Sequence, residues 1–293
     1  MFVELLQILV RIKFSRLSFT VIFFLVFLFT TVNAQKVKLT EEIWNGTGCY
    51  KIEMPMGTVY FEKEDGVSGF KSFIDNEGND WIASNMEPGP NGDFRGFPNT
   101  VNNFGHAGRD SGSTTRIIKN VTEGDLVILE SKNPDFTFQY WFFPDRVVVK
   151  VIESQGDYSF LYEGVVGGSS EAEDYFVTPD GEKHTPRGKF KDFTPEWYYL
   201  GDPKVNNYLF LAKSPNDDAP NENHRQIREG NVHNMDLYSF GRTGPEDGYE
   251  IYGMSGNEHI CIIGFISADK DHAQIESKIE SFLKDPFQSG IDH

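Results

Sequence analysis

Three observations predict an all-β fold, a large antiparallel β-sandwich carrying one C-terminal helix. Short runs alternating apolar and polar residues recur along the chain, as half-buried strands require. Clusters of Gly, Asn, Asp and Pro punctuate those runs at turn positions. Aromatic residues reach 14%, with 26 Phe and 12 Tyr, a surplus that suits pleated, packed surfaces.

The runs follow in order. Thr58-Val59-Tyr60-Phe61 leads to Gly69-Phe70-Lys71-Ser72-Phe73-Ile74, and Asp75-Asn76-Glu77-Gly78-Asn79-Asp80 is a turn cluster before Trp81-Ile82. Asp125 to Glu130 reads as a strand. Phe136–Phe143 and Arg146–Ile152 flank Pro144-Asp145 as a tight hairpin. Further strands fit Tyr158–Val165, Tyr208–Lys213, Met235–Phe240, Tyr249–Met254 and His259–Ile266. The helix is marked by Ile275, Ile279, Phe282 and Leu283, spaced to share one face. Asp269 or Asp271 can cap its start, and Pro286 lies just past its end.

The first 34 residues are read as a signal peptide and 35–293 as a single β-sandwich domain. Arg11, Lys13 and Arg16 precede an apolar run from Leu17 to Val32, and Val32-Asn33-Ala34 offers small residues for cleavage before Gln35. The run is shorter than the roughly 20 residues of a membrane span, so no span is expected after cleavage. The expected location is secreted or periplasmic. Removing Glu4 with the three basic residues takes the net charge from −17 to −19. Such acidity excludes nucleic acid as a partner, because a phosphate backbone calls for a basic footprint. Export permits a disulfide between Cys49 and Cys261, but two buried thiols fit as well. Asn45-Gly46-Thr47 and Asn120-Val121-Thr122 match the glycosylation sequon.

Two long stretches lack strand periodicity, Asn85–Gly112 and Gly167–Thr194, and a third loop runs from Ser214 to Asn234. Loops of this length on a β-scaffold are where binding groups collect. The first carries Arg95, Asn99, Asn103, His106 and Arg109, and the second carries His184. The third holds Asp217, Asp218, His224, Arg225 and His233.

Three segments resemble a known family. Val67 to Asp75, with Gly78-Asn79-Asp80-Trp81, is similar to the opening of galactose-mutarotase-like supersandwich domains. Phe94-Arg95-Gly96-Phe97-Pro98, followed by Phe104-Gly105-His106-Ala107-Gly108, resembles their Arg-Gly…Pro…Phe…His-Gly segment. Phe160-Leu161-Tyr162-Glu163-Gly164, with Gly167-Gly168, resembles a phrase in secreted bacterial proteins that accompany polysaccharide-degrading systems. The resemblance spans roughly residues 50–285 and implies a large antiparallel sandwich. Aldose epimerases belong to the family, and related sandwiches occur in polysaccharide lyases and glycoside hydrolases. The epimerases' second histidine, in an Asn-His-Pro-like setting, has no counterpart here.

The residues support a chemistry of their own. An exposed His106 beside Arg95 and Arg109 would titrate low enough to act as a general base near neutral pH. Either arginine can clamp a uronate carboxylate and stabilise the enolate-like charge formed when the neighbouring proton is abstracted. Tyr162 can donate a proton and Glu163 can accept one. Asn99, Asn103, His184 and His233 are candidate sugar contacts. Trp197-Tyr198-Tyr199 follows a loop and reads as an aromatic platform for sugar rings, with Tyr140-Trp141 a second cluster.

No cofactor is expected. Ca²⁺ binding by Asp217, Asp218 and Glu222, or by Glu171, Glu173 and Asp174, is a weaker expectation. Zinc, phosphate-loop and serine-elbow motifs do not occur.

The leading reading is a secreted polysaccharide lyase acting on a uronate glycan by β-elimination. The alternatives are a non-catalytic glycan-binding module, or a glycoside hydrolase or sugar epimerase. A hydrolase needs two carboxylates about 5–10 Å apart. The acidic chain repels a polyanion, although salt screens that field beyond about 8 Å.

Overall fold

The computed structural model describes residues 36–63, 69–82, 113–120, 124–132, 134–163, 171–185, 190–191, 193–215, 222–227, 235–241, 254–257 and 259–288. The chain divides into two compact units, Met1–Ala34 and Gln35–His293, and every described residue belongs to the second. The basic and apolar leader lies outside the described residues.

The architecture is an antiparallel sandwich of three sheets. The first contains β1 (Lys38–Trp44), β2 (Thr47–Met54), β3 (Gly57–Glu62) and β4 (Gly69–Asp75) as a simple meander. Asn45 and Gly46 close its first hairpin at φ 47° and 79°, the double positive-φ turn that Asn-Gly favours. At Gly57, φ is 156° and an added Cβ would lie 2.2 Å from the Ile74 carbonyl oxygen, so only glycine fits.

Next come β5 (Thr114–Lys119), β6 (Val127–Lys132), β7 (Phe136–Phe142), β8 (Val147–Ser154), β9 (Phe160–Glu163), β10 (Tyr175–Val177) and β11 (Lys183–His184). They are followed by β12 (Phe190–Lys191), β13 (Trp197–Gly201), β14 (Asn207–Ser214), β15 (Glu222–Ile227), β16 (Met235–Phe240) and β17 (Ile260–Ser267). The large sheet has nine strands in the order β11-β10-β13-β14-β17-β8-β7-β6-β5, and the third sheet is β12-β15-β16-β9.

Period-two alternation splits the large sheet into two faces. Val147, Val149 and Val151, Leu209 and Leu211, Cys261, Ile263 and Phe265 point into the main core. There they meet Ile52, Val59, Phe61, Phe70 and Phe73 from the first sheet, and Phe160, Tyr162, Tyr238 and Phe240 from the third. Val148, Phe210, Ala212, Ile260 and Ile262 point the other way, onto the helix α1 (His272–Lys284). Asp271 caps α1: its carboxylate accepts from Gln274 N–H while the Gln274 side chain accepts from Asp271 N–H. Ile275, Ile279 and Phe282 are its buried stripe, each worth roughly 2 kcal/mol of burial. Arg146, on the β7–β8 turn, fastens the chain beyond the helix. It pairs with Asp145 at 2.7 Å, donates to the Pro286 and Gln288 carbonyls, and lies against the Phe143 and Phe282 rings.

Several expectations change. The stretch read as a second irregular loop contains β10, β11 and β12, and the third loop contains β15. β10, β11 and β12 are two or three residues long, too short for the alternation to declare itself in sequence, and β15 is polar at every position but Ile227. β1 and β5 also escape notice, because as edge strands they are largely exposed and rich in polar residues. Cys49 and Cys261 are both buried thiols with no disulfide between them. Cys261 faces the main core, and burial there raises its thiol pKa well above the usual range.

Candidate functional site

Three sequence candidates, Tyr162, Tyr198 and His184, gather between the third sheet and the β10–β13 end of the large sheet. β9 carries Tyr158, Phe160 and Tyr162 at every second position on its inward face or just before it, and β16 carries Tyr238 and Phe240. β13 contributes Tyr198, and β10 contributes Phe176. Tyr238 stands at the centre. Its ring lies 6.3 Å from Tyr162, 5.7 Å from Tyr198 and 5.7 Å from Phe176. Tyr198 also contacts Phe193 at 5.6 Å and Phe240 at 5.4 Å.

His184 joins the cluster through Phe176, stacking on its ring at 4.9 Å. A polar relay fixes the imidazole. Thr178 Oγ1 donates to Asp180 Oδ1 at 2.6 Å and lies 3.0 Å from His184 Nε2. A hydroxyl has one proton, and the carboxylate takes it, so Nε2 donates to Thr178. The Thr178 hydroxyl and the Glu182 N–H hold Asp180 below the usual carboxylate range.

Tyr162 is fully buried, and its hydroxyl donates to the Trp81 carbonyl. Burial, with the fields of Asp80 and Asp174, pushes its pKa well above the normal tyrosine value. The phenol therefore stays neutral at any ordinary pH. Asp174 is itself buried and accepts from Glu171 N–H at 2.6 Å. Just ahead of β13, Glu196 forms an ion pair with Lys213 of β14 at 2.9 Å, with both side chains fully buried.

Trp197 and Tyr198 do not form an exposed platform. They are 0% and 3% exposed, and as neighbours in a strand they face opposite ways. Trp197 lies on the helix side against Tyr199 and His272, while Tyr198 lies in the main core. A ring enclosed on all sides offers no face to a sugar. Tyr140 is likewise in the core, whereas Trp141 is partly buried on the helix side against Phe287.

Glu163 ends β9, but its side chain lies outside the described residues. Arg95, Asn99, Asn103, His106, Arg109 and His233 also lie outside the described residues, as do Asp217 and Asp218 and the Glu222 side chain. Glu171 pairs with Lys204, and no three metal-ligating side chains converge among the described residues.

Sequence reasoning thus named three members of the cluster, Tyr162, Tyr198 and His184, without the residues that join them. Tyr238 and Phe176 are the connectors, and Glu196 and Lys213 lie behind. The available signal was parity. Tyr158, Phe160 and Tyr162 repeat every second residue, as do Tyr238 and Phe240, which marks one aromatic face on each strand.

No protein-family model matches the chain, and a comparison with curated proteins finds no match. Among solved structures, an active YidC insertase with its first transmembrane domain resolved aligns over 92% of this chain at 11% identity and TM-score 0.45. This chain spans about half of that protein's length, 52%. A candidate aldose 1-epimerase from Escherichia coli aligns over 78% of this chain and 99% of its own, at 10% identity and TM-score 0.43. A Synechocystis protein aligns over 77% of this chain and 98% of its own, at 9% identity and TM-score 0.40.

Proposed function

We propose that this chain is an exported carbohydrate-active protein that cleaves a uronate-containing glycan by β-elimination. The observation that carries the reading is the convergence of Tyr162, Tyr198, Tyr238, His184 and Asp174 at one end of a β-sandwich. Buried polar groups are costly unless they are hydrogen-bonded, and a cluster of them is a candidate for a functional site.

The chemistry divides among these groups and the Arg95–Arg109 segment. His106 takes the proton α to the uronate carboxylate. Arg95 or Arg109 pairs with that carboxylate and stabilises the charge that spreads onto it. The C–O bond to the leaving sugar breaks, and its oxygen collects a proton. A tyrosine held neutral by burial suits that last step, because its proton is present at every working pH. Tyr162 already donates to Trp81, so it fills this role only by exchanging that partner. As it stands, it forms a wall of the site. Asn99, Asn103, His184 and His233 supply sugar contacts.

One observation favours a second reading, a glycan-binding module without catalysis. The described tyrosines are enclosed, and the described part of the cluster holds no base free of a relay.

Incubation with polygalacturonate, alginate and hyaluronate, followed by absorbance of the unsaturated product, tests the proposal. Product formation lost in His106→Ala and Arg95→Ala supports the lyase. Tight binding without product favours the module, and new reducing ends without unsaturation indicate hydrolysis. Neither binding nor product with any of the three sinks both glycan readings.

A further inference from the structure

The tyrosine cluster lies in the main core, and the other face of the large sheet carries different chemistry at its β5–β8 end. Arg116, Glu130, Gln139 and Lys150 stand opposite one another on β5, β6, β7 and β8, a row about 14 Å long at the usual strand spacing. Trp141 follows two residues after Gln139 on the same face, which is the face that α1 covers further along the sheet. Phe287, just past α1, meets Trp141 and Lys150.

A relay fixes the row. Arg116 Nε and Nη2 meet Glu130 Oε1 at 2.6 and 2.5 Å, Gln139 Nε2 donates to Glu130 Oε2 at 3.0 Å, and Trp141 Nε1 donates to Gln139 Oε1 at 3.2 Å. The indole can only donate, which turns the Gln139 amide nitrogen toward Glu130. Glu130 is buried, whereas the Arg116 side chain is 68% exposed. Glu130 thus holds the guanidinium by one side, and the Nη1–Nη2 end remains for a second carboxylate in a bidentate pair. Trp141 is half-buried with its indole oriented, and its ring offers an apolar surface to the C–H side of a sugar.

Charge sets this surface apart. Acidic residues outnumber basic ones 44 to 27 in the chain. On this face of β5–β8, Arg116, Lys119, Lys132 and Lys150 stand with Glu130 and Glu153, and Arg116 already matches Glu130. Lys119, Lys132 and Lys150 have no ion-pair partner among the described residues. Salt screens charges beyond about 8 Å, so a polyanion that reaches this face meets the local cations rather than the net charge of the chain.

We propose that this row is a holding site for an acidic glycan chain. Arg116, Lys132 and Lys150 pair with its carboxylates, and Trp141 stacks on a sugar ring. The choice of a uronate glycan rests on the functional reading above. The row lies on the opposite face of the sheet from the tyrosine cluster and takes no part in bond cleavage.

The test uses the intact protein. Wild type is titrated by calorimetry with polygalacturonate, alginate and hyaluronate, and with polyglutamate as a polyanion without sugar rings, each at several salt concentrations. The variants are Lys132→Ala with Lys150→Ala together, Arg116→Lys, and Trp141→Ala, each also unfolded in urea so that affinity is expressed per folded molecule. The lysine pair is expected to weaken glycan binding about tenfold and to flatten its salt dependence, as loss of two surface ion pairs should. Arg116→Lys keeps a charge beside Glu130 but lacks the bidentate end, and is expected to bind several-fold more weakly. Trp141→Ala is expected to weaken glycan binding and to leave polyglutamate binding as in wild type. Wild-type glycan affinity in the lysine pair or in Trp141→Ala overturns the proposal, and so does polyglutamate bound as tightly as the best glycan. Unsaturated product from wild type, with affinity unchanged in these variants, overturns this inference and leaves the functional reading intact. Binding through the row without product from any of the three glycans upholds this inference and defeats the lyase.

Discussion

The first and third sheets cover the same face of the nine-stranded sheet with different chemistry. Under the first sheet the interior is a close aromatic and aliphatic pack. Phe61 meets Tyr140 at 4.8 Å and Phe142 at 6.4 Å, and Phe73 meets Phe265 at 4.3 Å. The Tyr140 hydroxyl lies within that pack, and at its rim Asp75 accepts from Glu77 N–H, Asn79 and the Trp81 indole. Under the third sheet the interior holds Tyr162, Tyr198, Tyr238, Asp174 and the Glu196–Lys213 pair. Trp81 marks the seam, with its ring against Phe265 and its carbonyl accepting from Tyr162. One end of the sandwich thus gives stability by burial, and the other accepts costly polar groups that burial alone does not justify.

The largest expected effect breaks the apolar end. Phe61→Ala removes a ring from the centre of that pack and should cost about 3–5 kcal/mol in urea unfolding. Under conditions where the variant is still folded, glycan affinity should match wild type. A loss of affinity in that folded population would show that the two ends are coupled.

Asp75→Ala probes the rim. It leaves the donors of a buried turn without their acceptor and should cost roughly 2–3 kcal/mol in the same assay, because hydrogen bonds to a charged group are the stronger kind.

A smaller effect lies at the seam. Tyr162→Phe strips the donor from the Trp81 carbonyl and should cost about 1–2 kcal/mol. If Tyr162 is only a wall, product formation survives in this variant. If it is the proton donor, turnover falls far more than stability does.

Acid titration distinguishes the rim in another way. Burial raises the pKa of Asp75, but hydrogen bonds from Asn79, Trp81 and Asn207 outweigh it, and the net shift is downward. A carboxylate with a lowered folded pKa contributes stability that is present above its unfolded pKa of about 3.9 and lost as pH falls through the folded value. Wild type should therefore lose stability below about pH 4 more steeply than Asp75→Asn does, read from urea midpoints at successive pH values. Equal slopes would remove Asp75 from the account. The smallest effect belongs to neither end. Ile43 on edge strand β1 is 75% exposed, and Ile43→Thr should stay within about 0.5 kcal/mol of wild type.

Much of the scaffold was legible because its signals are local. Alternation in β3, β4, β7, β8, β14 and β17 reports a strand with two faces, and the Ile275–Ile279–Phe282 spacing reports a helix with one. The candidate site was only half legible. Tyr162 and His184 stood out as residue types, yet Phe176 lay in what read as an irregular loop, because a three-residue strand shows too little alternation to be recognised. Trp197, Tyr198 and Tyr199 read as an exposed platform because they follow a loop. Burial depends on what packs above and below a strand, and neither neighbour is near in sequence.

By itself the sequence determined the fold class, the strand faces, a helix capped by Asp269 or Asp271, and a composition unsuited to nucleic acid. Each of these follows from period, capping chemistry or net charge, which act over a few residues or over the whole chain. Only the tertiary structure decided that Tyr162, Tyr198 and His184 meet through Tyr238 and Phe176. It also decided that Glu196 and Lys213 pair in the interior, and that the two cysteines stay apart from one another as buried thiols. Those outcomes depend on which strands pair and which sheets stack. Apart from Phe176 and His184 in one short hairpin, the partners lie 17 or more residues apart, and no local pattern carries that information.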